Sequence, residues 1–219
     1  MNRFTLAAAA ALTLAAGTTA LAPAIFAQGA APQLPGVKDP KRVTAGTYAL
    51  DANHTLVGWK VSHFGFNDYF GIFGNIKGTL TLDPAKPQNA KVEVTVPIAE
   101  VSVASAGLKD HLLRAGKEGA APDFFGPAPG MATFTSTKVT KTGATTADIA
   151  GTLTMNGKTA PVTLKADFAG AGANPFNKKE TVGFHATTTI DRTLWGINYA
   201  APMISKEVTL TITAAFEKQ

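Results

Sequence analysis

The sequence contains no cysteine. That excludes a disulfide framework, a thiol nucleophile, a cysteine metal cluster and a lipid-modified cysteine at a cleavage site. Beyond the N-terminal segment, no apolar stretch approaches the roughly 20 residues a membrane-spanning helix needs. Charge is sparse and nearly balanced, with 20 Lys+Arg against 15 Asp+Glu. The lysines are scattered, without a basic run or an arginine-rich helix, which argues against nucleic acid as a partner. The mild positive balance is compatible with transient contact with anionic membrane headgroups. Chemical motifs are also missing: there is no HExxH, GxSxG or Walker sequence, and no GxGxxG loop after a strand. The four histidines, His54, His63, His111 and His185, fall on different segments, and Ser105, Asp110 and His111 meet only through short-range spacing. The expectation is a protein that is not an enzyme and holds no metal and no cofactor.

What is present begins with Asn2-Arg3, an apolar run from Phe4 through Ala16, and small residues before Ala27. A basic start, a short apolar core and a small-residue exit describe a secretory signal peptide over residues 1–27, removed on export to the periplasm. Cleavage after Ala27 leaves 192 of the 219 residues, enough for one well-filled domain. Residues 28–46 lack any period and contain three prolines, as a flexible leader would. Residues 47–217 form the domain.

There the signal is alternation. Val57, Trp59, Val61 and His63 share one face, as do Ile76, Gly78, Leu80 and Leu82. Val92, Val94, Val96 and Ile98 repeat the pattern, followed by Val162, Leu164, Ala166 and Phe168, then Val208, Leu210, Ile212, Ala214 and Phe216. Strands wet on one face and apolar on the other belong to antiparallel sheets, because a parallel sheet under helices is apolar on both. Asn156-Gly157 predicts a type I′ hairpin pairing Met155 with Lys158. At least seven long strands and a short first one at Thr47–Leu50 are expected. One segment breaks the pattern: Leu108, Leu112 and Ala115 recur at helical spacing, with Ser105 as N-cap and Gly116 as stop. A helix over Ala106–Ala115 would cover one end of the sheet. Such strands can build a sandwich or a closed barrel, and periodicity alone leaves both open.

Aromatic residues are few, yet five of them, Phe64, Phe66, Tyr69, Phe70 and Phe73, crowd between His63 and Gly78 among glycines. These rings can be core, the wall of a cavity for an apolar guest, or a dimer contact. Phe134, Phe168 and Phe184 lie on the apolar faces of their own segments and extend the same wall. Phe125 and Trp195 belong to motifs beside loops and are expected at the rim. His63 is a lone imidazole on an apolar face, suited either to a guest's polar headgroup or to a backbone carbonyl. Arg192 carries a fork suited to a phosphate or carboxylate, or to a structural ion pair. Asp191 beside it points the other way if the segment is extended.

The stretch "YALDANHTLVGWKVSHFGFNDYFGIFGNIKGTLTLDP", followed by "VSVASAGLKDHLLRAG", "DFFG", "ATFTSTKV", "GTLTMNGKTAPVTLKADF" and "TTTIDRTLWGI", resembles the YceI-like family of bacterial polyisoprenoid-binding proteins. The resemblance runs from about Gly46 to Phe216. It implies an all-β fold: an antiparallel eight-stranded lipocalin-like barrel with a short helix near one end. It also implies an isoprenoid lipid or isoprenoid quinone as partner, held in an apolar cavity by a protein that is exported or cytoplasmic and often dimeric; the N-terminal pattern selects the exported, soluble form. Trp59, Val61, His63, Phe64, Phe66, Phe70, Phe73, Leu112, Phe125, Phe134, Phe168, Phe184, Arg192 and Trp195 are the candidate contacts. The sequence departs from the family pattern at Ile72 (usually arginine), at the inserted "AGKEGAAP" and at Trp195 (usually phenylalanine). The competing readings are a non-catalytic envelope structural or stress-related protein with a side-chain-filled barrel, and a hydrolase.

Overall fold

The structure, a computed structural model, describes residues 33–219. The expected signal peptide and its cleavage position at Ala27 lie outside the described residues. Ten strand segments follow one another: β1 (Gly46–Leu50), β2 (Leu56–His63), β3 (Asn67–Phe73), β4 (Lys77–Leu82), β5 (Lys91–Pro97), β6 (Met131–Lys141), β7 (Thr146–Met155), β8 (Lys158–Ala173), β9 (Glu180–Asp191) and β10 (Ile204–Lys218). A single α-helix among the described residues, α1 (Ala106–Leu113), falls between β5 and β6.

Ten segments make eight staves. β1 and β2 both pair with β10, at Tyr48↔Lys218 and at Val57↔Ile212, so they form one interrupted stave. β4 pairs with β1 and β3 with β2, so β3 and β4 form the next. The remaining strands follow in chain order, every ladder is antiparallel, and β1 on β10 closes the ring. At the far end of the second stave, Ile72 and Ser102 exchange two backbone bonds of 2.9 Å, which carries closure past the end of β5. Closure leaves no long unpaired edge. The barrel, not the sandwich, is the solution to the alternating pattern.

The break in the first stave is held by side chains. Asp51 accepts from the Asn53 amide at 3.0 Å, and its N–H donates to the Ala215 carbonyl at 2.8 Å. Buried Thr55 then accepts from the Ala215 amide at 3.2 Å, standing in for the missing strand. The β7–β8 hairpin has the expected form: Asn156 and Gly157 have φ of 48° and 70°, and Met155 pairs with Lys158. Both central residues of a type I′ turn need the left-handed region that Gly enters freely and Asn tolerates. Ser105 caps α1 by accepting from the Leu108 amide at 3.3 Å, as expected, but the helix stops at Leu113, short of Ala115. Arg114 turns extended there, with ψ 157°.

The part of the expected leader that is described lies against the barrel. Val37 exchanges backbone bonds of 3.0 and 2.9 Å with Ala171, and Val43 is buried. Glu180 anchors the approach to β1, accepting from the Thr44 amide at 2.8 Å and from the Thr44 and Tyr48 hydroxyls at 2.6 Å each. Burial pushes the Tyr48 hydroxyl up to about 12, and its bond to Glu180 adds to the shift. Burial also acts to raise the Glu180 carboxyl, but the bonds from Thr44 and Tyr48 outweigh it and hold Glu180 below its ordinary value. A carboxylate depressed on folding stabilises the fold above the ordinary glutamate range and loses that contribution as pH falls through the depressed value. Glu180→Gln is expected to lower stability at neutral pH by about 1–2 kcal/mol and to flatten the acid limb of stability against pH. Urea unfolding across pH checks both.

Candidate functional site: a two-chambered apolar interior

The inward faces of the staves do not fill the barrel. Two cavities lie inside, one of about 680 Å³ beside α1 and one of about 320 Å³ towards the β1–β4 end. They meet where Val57, Val96, Leu153 and Leu210 line both. Together they reach the upper end of the roughly 300–1,000 Å³ usual for a ligand cavity.

The larger chamber is walled by Trp59, Val61 and His63 of β2, Phe73 of β3, and Leu108 and Leu112 of α1, with Phe124 and Phe125 from the segment after the helix. The smaller is walled by Leu80, Val92 and Val94 with Phe134, Phe168, Phe184 and Phe216. Phe168, Phe184 and Phe216 meet edge to face, with centroids 5.7 and 6.3 Å apart. Polar side chains join both linings, His63, Asn67, Tyr69, Ser105, His111 and Arg192 in the larger chamber and Thr55, Lys91, Lys141, Thr145 and Thr146 in the smaller.

Trp59 lies directly opposite Gly71 on β3. A Cβ on residue 71 would come within 2.3 Å of the indole ring, so only glycine leaves room for the tryptophan here. The indole N–H is buried there without a hydrogen-bond partner. Gly71→Ala is expected to push the indole into the larger chamber and to lower stability by about 1–3 kcal/mol. Intrinsic fluorescence and a thermal melt read the two effects separately.

The mouth beside α1 is latched. Asp123 faces His111 Nε2 at 2.7 Å and accepts from Arg114 at 3.0 Å, and these bonds, His111's first, hold its carboxyl below the ordinary range. The His111 ring meets Phe124 and Tyr199 edge-on at 5.1 and 5.0 Å. This joins the helix, the "DFF" segment and the loop before β10.

Eleven of the candidate contacts line one chamber or the other. His63 does so with its ring edge-on to Phe64 at 4.4 Å. Phe125 lines the larger chamber, with its amide donating to the Leu112 carbonyl at 3.0 Å. Three candidates need correction. Phe70 is 63% exposed, because β3 turns Tyr69, Gly71 and Phe73 inward and the alternate residues out, and Phe66 is 89% exposed in the turn before β3. Trp195, expected at the rim, is 1% exposed on the short 3₁₀ turn Arg192–Trp195, where its indole donates to the Leu153 carbonyl at 3.0 Å. Arg192 lines the chamber, but its fork is engaged. Nε donates to the Ser205 carbonyl at 2.9 Å, Nη1 to Ile197 at 2.7 Å, and Nη2 to Tyr199 and Ile204 at 2.9 and 2.8 Å. Burial draws its pKa below the ordinary guanidinium value. Asp191 meanwhile accepts from Thr193 and Lys206, so the adjacent charges do not pair. Tyr69, His111 and Tyr199 were not expected. Tyr69 lies on β3, whose inward phase the sequence does not reveal, His111 on α1 beside Leu112, and Tyr199 in the loop before β10.

Among the described residues, no group of three or more metal-ligating side chains comes together, and no helix is long and apolar enough to cross a membrane. What the interior offers a guest is mainly carbon surface, with its histidine, tyrosine and arginine side chains in the larger chamber.

Fold and interior together define a closed antiparallel eight-stranded barrel with a hollow apolar core. The YceI-like domain family model matches residues 48–216, and the chain belongs to that family. A UPF0312 protein of Pseudomonas fluorescens (strain SBW25) is 37% identical over 181 residues, covering 81% of this chain and 90% of the relative. The crystal structure of Burkholderia cenocepacia BcnA shares the fold with a TM-score of 0.61 at 21% identity, covering 76% of this chain and 98% of the other. A polyisoprenoid binding domain from Saccharophagus degradans, implicated in plant cell wall breakdown, superposes with a TM-score of 0.52 at 12% identity, covering 78% of this chain and 98% of that domain.

Proposed function

We propose that this protein is an exported carrier that binds, stores or transports a long isoprenoid, a polyprenyl or quinone-type lipid, in the barrel. The observation that carries the reading is the pair of adjoining apolar chambers, the larger of which alone has histidine and tyrosine side chains in its lining. An extended prenyl chain can thread Val57, Val96, Leu153 and Leu210 with its tail among Phe134, Phe168 and Phe184. Its headgroup then lies near His63, Tyr69 and His111. Burying such a chain is worth roughly 25 cal/mol per Å² of apolar surface before ordering costs, so tight binding requires no covalent chemistry. The structural neighbour from Saccharophagus degradans, a polyisoprenoid binding domain, supports the same guest class. The N-terminal pattern supports export, with residues 1–27 removed and the mature protein in the periplasm. An envelope structural protein requires a filled barrel, and the two chambers count against that reading.

Protein purified without detergent from its native compartment, extracted with organic solvent and analysed by mass spectrometry, is expected to release isoprenoid species near one per chain. An extract dominated by phospholipid or by a polar metabolite would contradict the reading. N-terminal sequencing of the same sample is expected to begin after Ala27.

A further inference from the structure

The turn between β2 and β3 places aromatic rings where a water-facing hairpin usually places polar residues. Phe64 and Gly65 both have positive φ, 54° and 70°, and the Phe66 amide donates to the His63 carbonyl at 3.1 Å to close the turn. Left-handed backbone is uncommon for a bulky side chain and is retained where surrounding structure demands it. Here it presents Phe64 at 45% and Phe66 at 89% exposure. The Phe64 amide donates to the Met203 carbonyl at 2.9 Å, so the tip stands beside the loop before β10, where Met203 is 61% exposed. Phe64–Asn67 carry no charge, and neither do residues 193–205, "TLWGINYAAPMIS". The flanking Lys60 and Lys206 are held in ion pairs with Asp68 and Asp191, at 2.8 and 3.1 Å. Phe64, Tyr199 and Ala200 also line the larger chamber, so this uncharged lip borders its opening.

We propose that the lip docks on a lipid bilayer. Phe66, Phe64 and Met203 enter the boundary between headgroups and acyl chains, and the chamber's mouth then faces the membrane. An isoprenoid passes into the barrel without crossing water. The proposal rests on the carrier reading, because the guest's source supplies the occupant. A bilayer fits the lip's chemistry: it is a protruding tip without charge, and aromatic rings favour the membrane interface.

Because the chain has no cysteine, Asn198→Cys, exposed in the uncharged loop before β10 and outside the chamber lining, takes a single environment-sensitive dye on the lip. With vesicles of phosphatidylethanolamine and phosphatidylglycerol, its emission is expected to rise and shift to the blue. Phe66→Asp is expected to weaken vesicle partitioning about tenfold, the loss of one inserted ring. It should slow isoprenoid uptake from vesicles by about the same factor, while uptake of isoprenoid delivered in dilute ethanol stays within about twofold of wild type. Dye emission unmoved by vesicles, in protein that still takes up isoprenoid from ethanol, would overturn the docking proposal and leave the carrier reading standing. Dye that responds to vesicles, in protein that takes up isoprenoid from neither source, would overturn the carrier reading and with it the purpose assigned to the lip. A blue shift that follows protein concentration without vesicles, with a doubled sedimenting mass, would assign the lip to a second copy of the chain instead.

Discussion

Replacing Val96 by phenylalanine is expected to lower affinity for long isoprenoids about a hundredfold, or about 2.7 kcal/mol, while chains short enough for the larger chamber alone keep their affinity within a few fold. Val96 lines both cavities where they meet, and a ring there obstructs passage between them. Overpacking costs typically 1–3 kcal/mol of stability as well, so the variant's melt must accompany its binding curve. Leu210→Phe obstructs the same place from β10 and should reproduce the length dependence. Equal weakening for short and long chains would show that the smaller chamber does not receive the tail.

The largest structural effect is expected from Arg192→Met. Arg192 is 4% exposed and satisfies the carbonyls of Ile197, Tyr199, Ile204 and Ser205, a run of chain that crosses from the 3₁₀ turn back to β10. Leaving four acceptors without their donor at about 1 kcal/mol each predicts a loss of about 4 kcal/mol in urea unfolding. Tyr199 would leave the His111 ring, and the mouth would open. Arg192→Lys is expected to recover only part of the loss, because an ammonium cannot reproduce the planar fork. A loss below about 1 kcal/mol for Arg192→Met would show that the loop holds itself without the clamp.

The barrel was legible in the sequence wherever a strand buries one face, because alternation then records which side is wet. Val92, Val94 and Val96, or Val208 through Phe216, point inward as their spacing predicts. The choice of a barrel over a sandwich was not legible in the pattern, since both bury the same faces. It came from the family resemblance. Splitting the first two staves was equally hidden: Asp51–Thr55 reads as a turn between strands, while Thr55 carries the ladder across the gap. Phe66 and Phe70 were placed in the wall because a cluster of rings suggests a lining. The inward phase of β3 is set by Gly71 under Trp59, a contact between strands that no local period reveals. Trp195 and Arg192 sit on a 3₁₀ turn, where neither a two-residue nor a helical repeat tells inside from outside. The acceptors of Arg192 lie in the aperiodic loop at Ile197 and Tyr199 and at the first residues of β10, Ile204 and Ser205.

The central claim is that the barrel encloses an isoprenoid chain. It is tested most directly by titrating delipidated, refolded protein with polyprenols of increasing length and following intrinsic fluorescence from Trp59. Saturable uptake of one chain per barrel is predicted, with affinity rising with length until both chambers are occupied and then levelling off. Protein shown to be folded by near-UV circular dichroism, yet taking up no polyprenol of any length, would contradict the account.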